Sequence, residues 1–211
     1  MCLLLRRDAL FNPGKVDDQT YNTIPSGATK PPGLTTPTYP HSVFQILPAH
    51  APPLLDHARE LIAEDGRSSG DVAGASLRHQ RFEEELANLP GQFAPPRGRL
   101  LIAVPDGPRS TPAHPAGCIA LRPLPTLGRA VCEMKRMYVR PEARGRGLGR
   151  ALAAQLIQDA RNAGYTLMKL DSDTDPRFDA ACALYRRLGF ANCPNYNADP
   201  DPRTIWMELR L

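Results

Sequence analysis

The chain has 211 residues, a formal net charge of +4 and a hydrophobic fraction of 42%. Its length suits one ordinary domain with a flanking segment, and its apolar content can supply a core. The modest charge and an aromatic fraction of 6% argue against a nucleic-acid-binding protein, which usually carries a longer basic stripe or interleaved aromatic residues. No segment has the apolar length of a membrane span. We therefore predict neither a nucleic-acid nor a membrane partner.

Residues 1–40 differ in composition from the rest of the chain. They show little apolar periodicity and include the turn-prone, proline-rich stretch 31–37. We predict that this segment is a disordered or loosely attached extension and that residues 41–211 form the folded domain.

The extension carries no obvious targeting signal. Its apolar run at residues 1–5 is too short for a signal peptide, and the basic residues follow the run rather than precede it. A mitochondrial presequence remains an alternative, against which three early aspartates count. The five cysteines are an odd number without paired metal-ligand spacing, and the five histidines are scattered. We predict that the protein needs no metal and that it is soluble and cytoplasmic.

Apolar and turn patterns predict a mixed α/β domain. The predicted elements, in chain order, are a strand at 41–47, helices at 53–63 and 78–89, strands at 100–104, 116–121 and 130–139, a helix ending at 163, a strand at 166–170, a helix at 177–188 and a strand at 204–209. Turns rich in proline and glycine separate the three middle strands, which favours an antiparallel meander.

A glycine-rich loop, Arg144-Gly145-Arg146-Gly147-Leu148-Gly149, stands between the strand at 130–139 and the following helix. Glycines let backbone approach a ligand, and a helix N-terminus offers unpaired N–H groups and partial positive charge to an anion. The arginines of the loop and Arg150 add formal charge at the same place. We predict a pyrophosphate-binding site.

Two well-known phosphate loops fit this segment poorly. An ATP-binding P-loop needs lysine and then serine or threonine after its last glycine, where this chain has Arg150 and Ala151. A dinucleotide fingerprint needs a third glycine at Arg150, and the charged preceding strand does not suit the centre of a parallel sheet. Because Asp171 lies where that fingerprint has its acidic residue, dinucleotide binding stays an alternative.

A third pattern, Arg/Gln-x-x-Gly-x-Gly/Ala, fits Arg144-x-x-Gly147-x-Gly149. With this loop, the strand and turn at 133–141 and the helix and turn at 183–190, the chain resembles the GNAT superfamily of acyl-CoA-dependent N-acyltransferases. The motifs span residues 82–211; the resemblance is weaker for 41–81 and absent from the first forty residues. It implies a mixed, mostly antiparallel central sheet flanked by helices, with two central strands splayed apart.

The resemblance also implies a cofactor site for acetyl-CoA, the acyl-donor cosubstrate. The backbone of Met137, Tyr138 and Val139 would bind the pantetheine arm and polarise the thioester carbonyl. The pyrophosphate would be held by the glycine loop and its basic neighbours, namely Arg144, Gly145, Arg146, Gly147, Leu148, Gly149 and Arg150.

Two side chains are candidates for proton transfer. An alkylamine is protonated near pH 7, and Glu133 is our candidate base for removing that proton; a solvated or lysine-paired strand carboxylate is the alternative. In the resembling pattern Leu-Tyr-x-x-x-Gly-Phe the tyrosine is the general acid that protonates the leaving thiolate. Tyr185 occupies this position, and an ordinary core tyrosine is the alternative. Many family members have asparagine where this chain has Phe178, so one cofactor contact is lost or supplied otherwise.

The acceptor is the least determined part of the prediction. The loop at 193–200 resembles one that borders the acceptor site in some small GNAT proteins, and Tyr196 in it either packs on substrate or anchors the loop. Glu133, Asp199 and Asp201 would suit a cationic amine if they converge. We predict an N-acetyltransferase acting on a small-molecule or amino-acid-like primary amine, as a monomer or homodimer. A peptide or protein lysine as acceptor and a noncatalytic acyl-CoA sensor are the alternatives.

Overall fold

A computed structural model of the protein describes residues 44–79, 82–105 and 114–211. The predicted extension at 1–40 lies outside the described residues, as does the start of the first predicted strand at 41–43. The domain boundary at residue 41 therefore stays a prediction.

The described part of the chain folds into a sheet flanked by helices. The strands are β1 (Phe44–Pro48), β2 (Arg99–Pro105), β3 (Gly117–Pro123), β4 (Val131–Val139), β5 (Leu167–Asp173), β6 (Ala191–Asn192) and β7 (Thr204–Arg210). The α-helices are α1 (Leu54–His79), α2 (Phe82–Ala87), α3 (Leu148–Asn162) and α4 (Asp179–Arg187).

The seven strands lie in the order β1-β2-β3-β4-β5-β7-β6. Neighbours are antiparallel except β4 and β5, which run parallel. This confirms the predicted mixed, mostly antiparallel sheet and its central meander of β2, β3 and β4. The dinucleotide-binding alternative is wrong, because that fold needs parallel strands on both sides of the strand that precedes the loop.

Helices cover both faces of the sheet. In β2, Leu100 and Ile102 pack in one apolar cluster with Leu61 of α1, whereas Leu101 packs in another with Leu152 of α3. Successive strand side chains point to opposite faces, so a strand covered on both sides is apolar at consecutive positions.

The prediction of two short helices near the start of the domain was wrong in one respect. Residues 64–77, which are rich in glycine and serine, were expected to separate the helices, yet α1 runs unbroken from Leu54 to His79. Isolated glycines cost a helix roughly 1 kcal/mol each, whereas a proline removes a backbone donor and ends it. The segment contains no proline. None of the helices within the described residues is both long and apolar enough to cross a bilayer.

Candidate active site

The parallel strands β4 and β5 separate along their length. Their pairing ends at Glu133 and Lys169. β4 continues to Val139, and within the described residues its edge toward β5 has no ladder partner after Glu133. This confirms the predicted splayed strands. The ladder therefore does not use the backbone N–H and C=O groups on that edge, and a ligand can supply hydrogen-bond partners for them.

A β-bulge interrupts β4 beside this gap. The register between β3 and β4 shifts, so that two residues of β4 oppose one residue of β3. The bulged residue Arg136 has a left-handed φ of 54°. Simple alternation would put Met137 on the face of Glu133 and Lys135, but the extra residue moves it to the opposite face, where it packs against the α3 cluster.

The predicted glycine loop leads directly into α3. Gly147 precedes the helix with a left-handed φ of 78°, and no described side chain caps the helix. The N–H groups of the first helical turn lack acceptors within the helix, so they are available to an anion. Arg144 and Arg146 are exposed beside them. Nε of Arg144 donates to the carbonyl oxygen of Val139 at 2.9 Å, which ties the loop to the end of β4.

Helix α3 approaches β4 closely at Gly149. A Cβ atom at this position would lie 2.9 Å from Cε of Met137, so a larger residue would require the end of the Met137 side chain to shift. The N-terminus of the helix and the unpaired edge of β4 are thereby brought side by side.

Tyr185 lies on α4 and is 8% exposed. Its ring meets that of Phe190 edge-on, with 5.9 Å between the ring centroids. Burial raises the pKa of the Tyr185 hydroxyl, and nearby Cys182, Asp65 and Asp171 raise it further. A phenol in this environment keeps its proton at neutral pH and can donate a hydrogen bond. Phe178, the departure from the family pattern, is half-buried and directly precedes the helix.

Glu133 is fully buried, with 0% exposure. Arg122 stands directly opposite in β3 and donates Nε to Oε2 of the carboxylate. The hydroxyl of Tyr196, in the loop between β6 and β7, donates to Oε1 at 2.7 Å. The partners of the carboxylate are thus an arginine and a phenol rather than a lysine or bulk solvent.

A buried ion pair joins β4 and β5 beyond the end of their backbone pairing. Nζ of Lys135 lies 2.8 Å from Oδ1 of Asp171, and the side chains are 5% and 9% exposed. Nδ2 of Asn197 donates to Oδ2 at 2.9 Å. Burial alone would raise the pKa of Asp171, but Lys135, Arg122 and the hydrogen bond from Asn197 together outweigh it, and the pKa is lowered. Side chains therefore hold the two strands together where the ladder has stopped.

The acetyltransferase (GNAT) family model matches residues 56–190 of this chain. The chain belongs to the GNAT family. An uncharacterized N-acetyltransferase of Schizosaccharomyces pombe is 37% identical over 139 residues, which are 65% of this chain and 79% of the relative. The IAA acetyltransferase of Azospirillum brasilense is 33% identical over 165 residues, which are 77% of this chain and 96% of the relative. This GNAT protein is accordingly an acyltransferase.

Solved structures share the GNAT fold. A Klebsiella pneumoniae protein solved as a candidate acyl-CoA N-acyltransferase is 26% identical, with a TM-score of 0.54 over 80% of this chain and 97% of that one. An acetyltransferase from Streptococcus agalactiae is 18% identical, with a TM-score of 0.62 over 81% of this chain and 99% of that one, and shows the likeness of fold.

The family implies an acyl-CoA donor, and the residues present fit that group. The gap between β4 and β5 offers an unpaired backbone edge, and the left-handed Gly147 and the closely packed Gly149 leave the N-terminus of α3 clear of side chains. Exposed guanidinium groups beside this terminus suit a pyrophosphate, because charge-assisted bonds from arginine to phosphate are strong.

Sequence reasoning missed a polar cleft next to Glu133. Nη1 of Arg122 donates to Oε1 of Gln92 at 3.0 Å, Nε2 of Gln92 donates to Glu85 at 2.6 Å, and Glu85 pairs with Arg136. This chain of bonds connects α2 to the bulge of β4. The cleft has a volume of about 310 Å³ and is lined by Glu84, Glu85, Asn88, Pro90, Gly91, Gln92 and Arg122. The only signal in the sequence was Arg122, which faces Glu133 across an antiparallel strand pair. This signal can be recognised only when the register of the two strands is known.

The carboxylates proposed to join Glu133 bond elsewhere. Asp201 pairs with Arg203 at 2.9 Å, and Asp199 accepts the Asp201 N–H at 3.0 Å and the Thr204 hydroxyl at 3.3 Å. These bonds order the loop before β7 and do not involve Glu133. Among the residues that the structure describes, no three His, Cys, Asp or Glu side chains are placed to hold a metal ion.

Proposed function

We propose that this protein transfers an acetyl group from acetyl-CoA directly to a primary amine of a small-molecule or amino-acid-like acceptor. The observation that carries the proposal is the opening of β4 away from β5 directly beside the glycine loop at the start of α3. This arrangement supplies an extended backbone edge and an anion site at the same place, which suits a long ligand with a pyrophosphate group.

The donor would supply an activated acyl group as a thioester. Backbone groups of Met137, Tyr138 and Val139 would bind the pantetheine arm along the unpaired edge, and an N–H there would stabilise negative charge on the thioester oxygen. The pyrophosphate would be bound by the segment from Arg144 to Arg150, that is, Arg144, Gly145, Arg146, Gly147, Leu148, Gly149 and Arg150.

Tyr185 and Glu133 would move the protons. The acceptor arrives as an ammonium ion, and attack requires that it lose a proton. Glu133 would be the final acceptor of that proton, and Arg122 is its ionic partner. Tyr185 would donate its hydroxyl proton to the departing thiolate, and the second proton that the nitrogen loses as the amide forms would restore the phenol.

The polar cleft beside Arg122 supports a small acceptor. Its volume of about 310 Å³ is near the lower end of the range of small-molecule sites. Its lining combines the carboxylates of Glu84 and Glu85 with the guanidinium of Arg122, which suits a molecule that carries both charges.

Acetyl-CoA binding is the first expected result. Calorimetric titration should give a micromolar Kd for acetyl-CoA and weaker binding of NAD. Arg144→Ala should weaken acetyl-CoA binding about tenfold, because one phosphate contact is lost. Gly147→Glu should weaken it roughly 10- to 100-fold, because it brings negative charge to the anion site.

Gly164→Glu is the matched control for Gly147→Glu. Gly164 follows α3 at its other end and has a similar left-handed φ of 80°, with no atom within 4 Å of its Cβ position. Both replacements introduce the same backbone strain and charge, but only one lies at the loop. Equal weakening of acetyl-CoA binding by the two variants, or an absence of binding to folded wild type, would contradict the assigned cofactor site.

The acceptor class follows from turnover with a defined panel. The panel contains free amino acids, 1,4-diaminobutane and a lysine peptide with a blocked N-terminus, and thiol release from acetyl-CoA is measured. The proposal expects the highest kcat/KM with a small amine. A higher kcat/KM for the peptide would contradict a small-molecule acceptor and indicate that the acceptor is a protein lysine.

We also propose that the protein acts in the cytoplasm, as a monomer or homodimer. In the described part of the chain Cys118, Cys132, Cys182 and Cys193 are free thiols, which supports a reducing compartment. Light scattering on the full chain tests the oligomeric state, and imaging of a tagged chain tests the location.

A further inference from the structure

The buried carboxylate of Glu133 is accessible to a substrate only through its neighbours. It has 0% exposure, and each of its oxygens already accepts a hydrogen bond, Oε2 from Arg122 and Oε1 from Tyr196. An amine cannot contact this carboxylate unless a partner moves. Arg122 stays protonated at any working pH and cannot accept a proton. The phenol is the remaining route.

Tyr196 is held firmly in this position. Its ring lies over Nζ of Lys169, with 5.1 Å between the ammonium and the ring centroid. The next residue, Asn197, donates to Asp171 at 2.9 Å and accepts a bond from Nε1 of Trp206, also at 2.9 Å. Glu133 is the last residue of β4 that pairs with β5. Because the Tyr196 hydroxyl donates to the Glu133 carboxylate, the phenol oxygen lies near the start of the gap.

We propose that Tyr196 contacts the acceptor amine and relays its proton to Glu133. The inference rests on the proposed function. The N–H bond of the ammonium breaks as its proton joins the phenol oxygen, while the O–H bond of Tyr196 breaks and that proton joins Oε1 of Glu133. The products are a neutral amine, an intact phenol and a neutral carboxylic acid, so atoms and charge balance. A phenol can accept one hydrogen bond while donating another, as this relay requires.

The surroundings of the phenol favour this direction of transfer. The charged or titratable groups that face it or its partners are Arg122 of β3, Glu133 and Lys135 of β4, Lys169 and Asp171 of β5, Cys193 of the loop itself, Glu85 of α2 and Glu208 of β7. Burial and the Glu133 carboxylate raise the pKa of Tyr196, so the phenol keeps its proton and remains the donor to Glu133 before substrate arrives. A cationic amine is attracted to the side of the phenol oxygen that carries its lone pairs.

The test is the pH dependence of kcat/KM for Tyr196→Phe, measured with the panel amine that wild type uses best. Without the relay, only the neutral fraction of the amine reacts, and that fraction grows tenfold for each pH unit below the amine pKa. We expect a loss of at least about 100-fold at pH 7 that shrinks roughly tenfold per pH unit and disappears as the pH reaches the pKa of the amine. A weakly basic amine that is already neutral at pH 7 should lose little.

Asn197→Ala is the control for a purely structural role. It removes the bonds to Asp171 and Trp206 that anchor the same loop, but it retains the phenol of Tyr196 and the carboxylate of Glu133. Its loss of kcat/KM should be the same at every pH. If Tyr196→Phe gives the same pH-independent loss, the relay is wrong and the tyrosine only anchors the loop.

Glu133→Gln keeps the inference testable if Tyr196→Phe fails to fold. The amide oxygen still accepts a bond from Tyr196 but cannot take its proton, so the same pH-dependent loss is expected, whereas a pH-independent loss overturns the relay. Calorimetry with acetyl-CoA checks that the variants bind the donor as wild type does. If wild type turns over no amine, the proposed function and the relay both fail; if wild type is active and neither variant alters the pH profile, only the relay fails.

Discussion

Replacing Tyr185 by phenylalanine is expected to lower kcat about 10³-fold and to leave the Kd for acetyl-CoA nearly unchanged. The phenyl ring retains the packing against Phe190, so the loss isolates the hydroxyl. Because burial raises the pKa of this hydroxyl, wild type should show no alkaline decline in kcat from Tyr185 ionisation up to pH 9. Steady-state kinetics between pH 6 and pH 9 and calorimetry with acetyl-CoA measure both effects.

Tyr165→Phe is the control for loss of a buried phenol. Tyr165 is 3% exposed, and its hydroxyl donates to the carbonyl oxygen of Arg97 at 2.9 Å, away from the gap between β4 and β5. Its replacement should lower the free energy of unfolding by about 1 kcal/mol and leave kcat unchanged. A Tyr185→Phe variant that retains wild-type kcat would show that another group, or water, protonates the thiolate.

Local patterns predicted most of the elements of this fold because each pattern depends on neighbouring residues. The glycine loop, the meander and the helix that carries Tyr185 all follow from spacing along the chain or from the family motif. The short strand β6 and the full length of α1 could not be predicted from such patterns. Strand β6 forms only by pairing with β7, and α1 tolerates glycines once it is packed. Existence of an element was easier to predict than its ends.

The acceptor side of the site depends on contacts between residues distant in sequence. Arg122 meets Glu133 through strand register, and Tyr196 reaches the same carboxylate from 63 residues away. The bulge at Arg136 reverses the face of every later residue of β4, which no alternation rule could supply. Glu133 was therefore identifiable as a candidate base, whereas its burial and its two partners were not.

The buried pair of Lys135 and Asp171 gives the largest expected effect on stability. Asp171→Asn keeps the shape of the side chain and removes its charge, so the buried Lys135 ammonium loses the carboxylate that lies 2.8 Å from it. Loss of one member of a buried pair costs about 3–5 kcal/mol. Urea unfolding at pH 7 should show this loss, whereas Asp56→Ala, which breaks the exposed pair with Arg59, should cost at most about 1 kcal/mol.

The pH dependence of the stability difference between wild type and Asp171→Asn tests whether the charge of Asp171 causes that difference. Lys135 holds the pKa of Asp171 below its ordinary value of 3.8, so the pair contributes its full stability above about pH 4. That contribution is lost as the pH falls through the lowered pKa, because the carboxyl group then becomes neutral in the wild type as well. The difference in unfolding free energy between wild type and Asp171→Asn should therefore be constant from pH 5 to pH 7 and narrow below pH 4. A difference that stays constant into acid would mean that Asp171 acts through its hydrogen bonds to neighbours such as Asn197, and not through its charge.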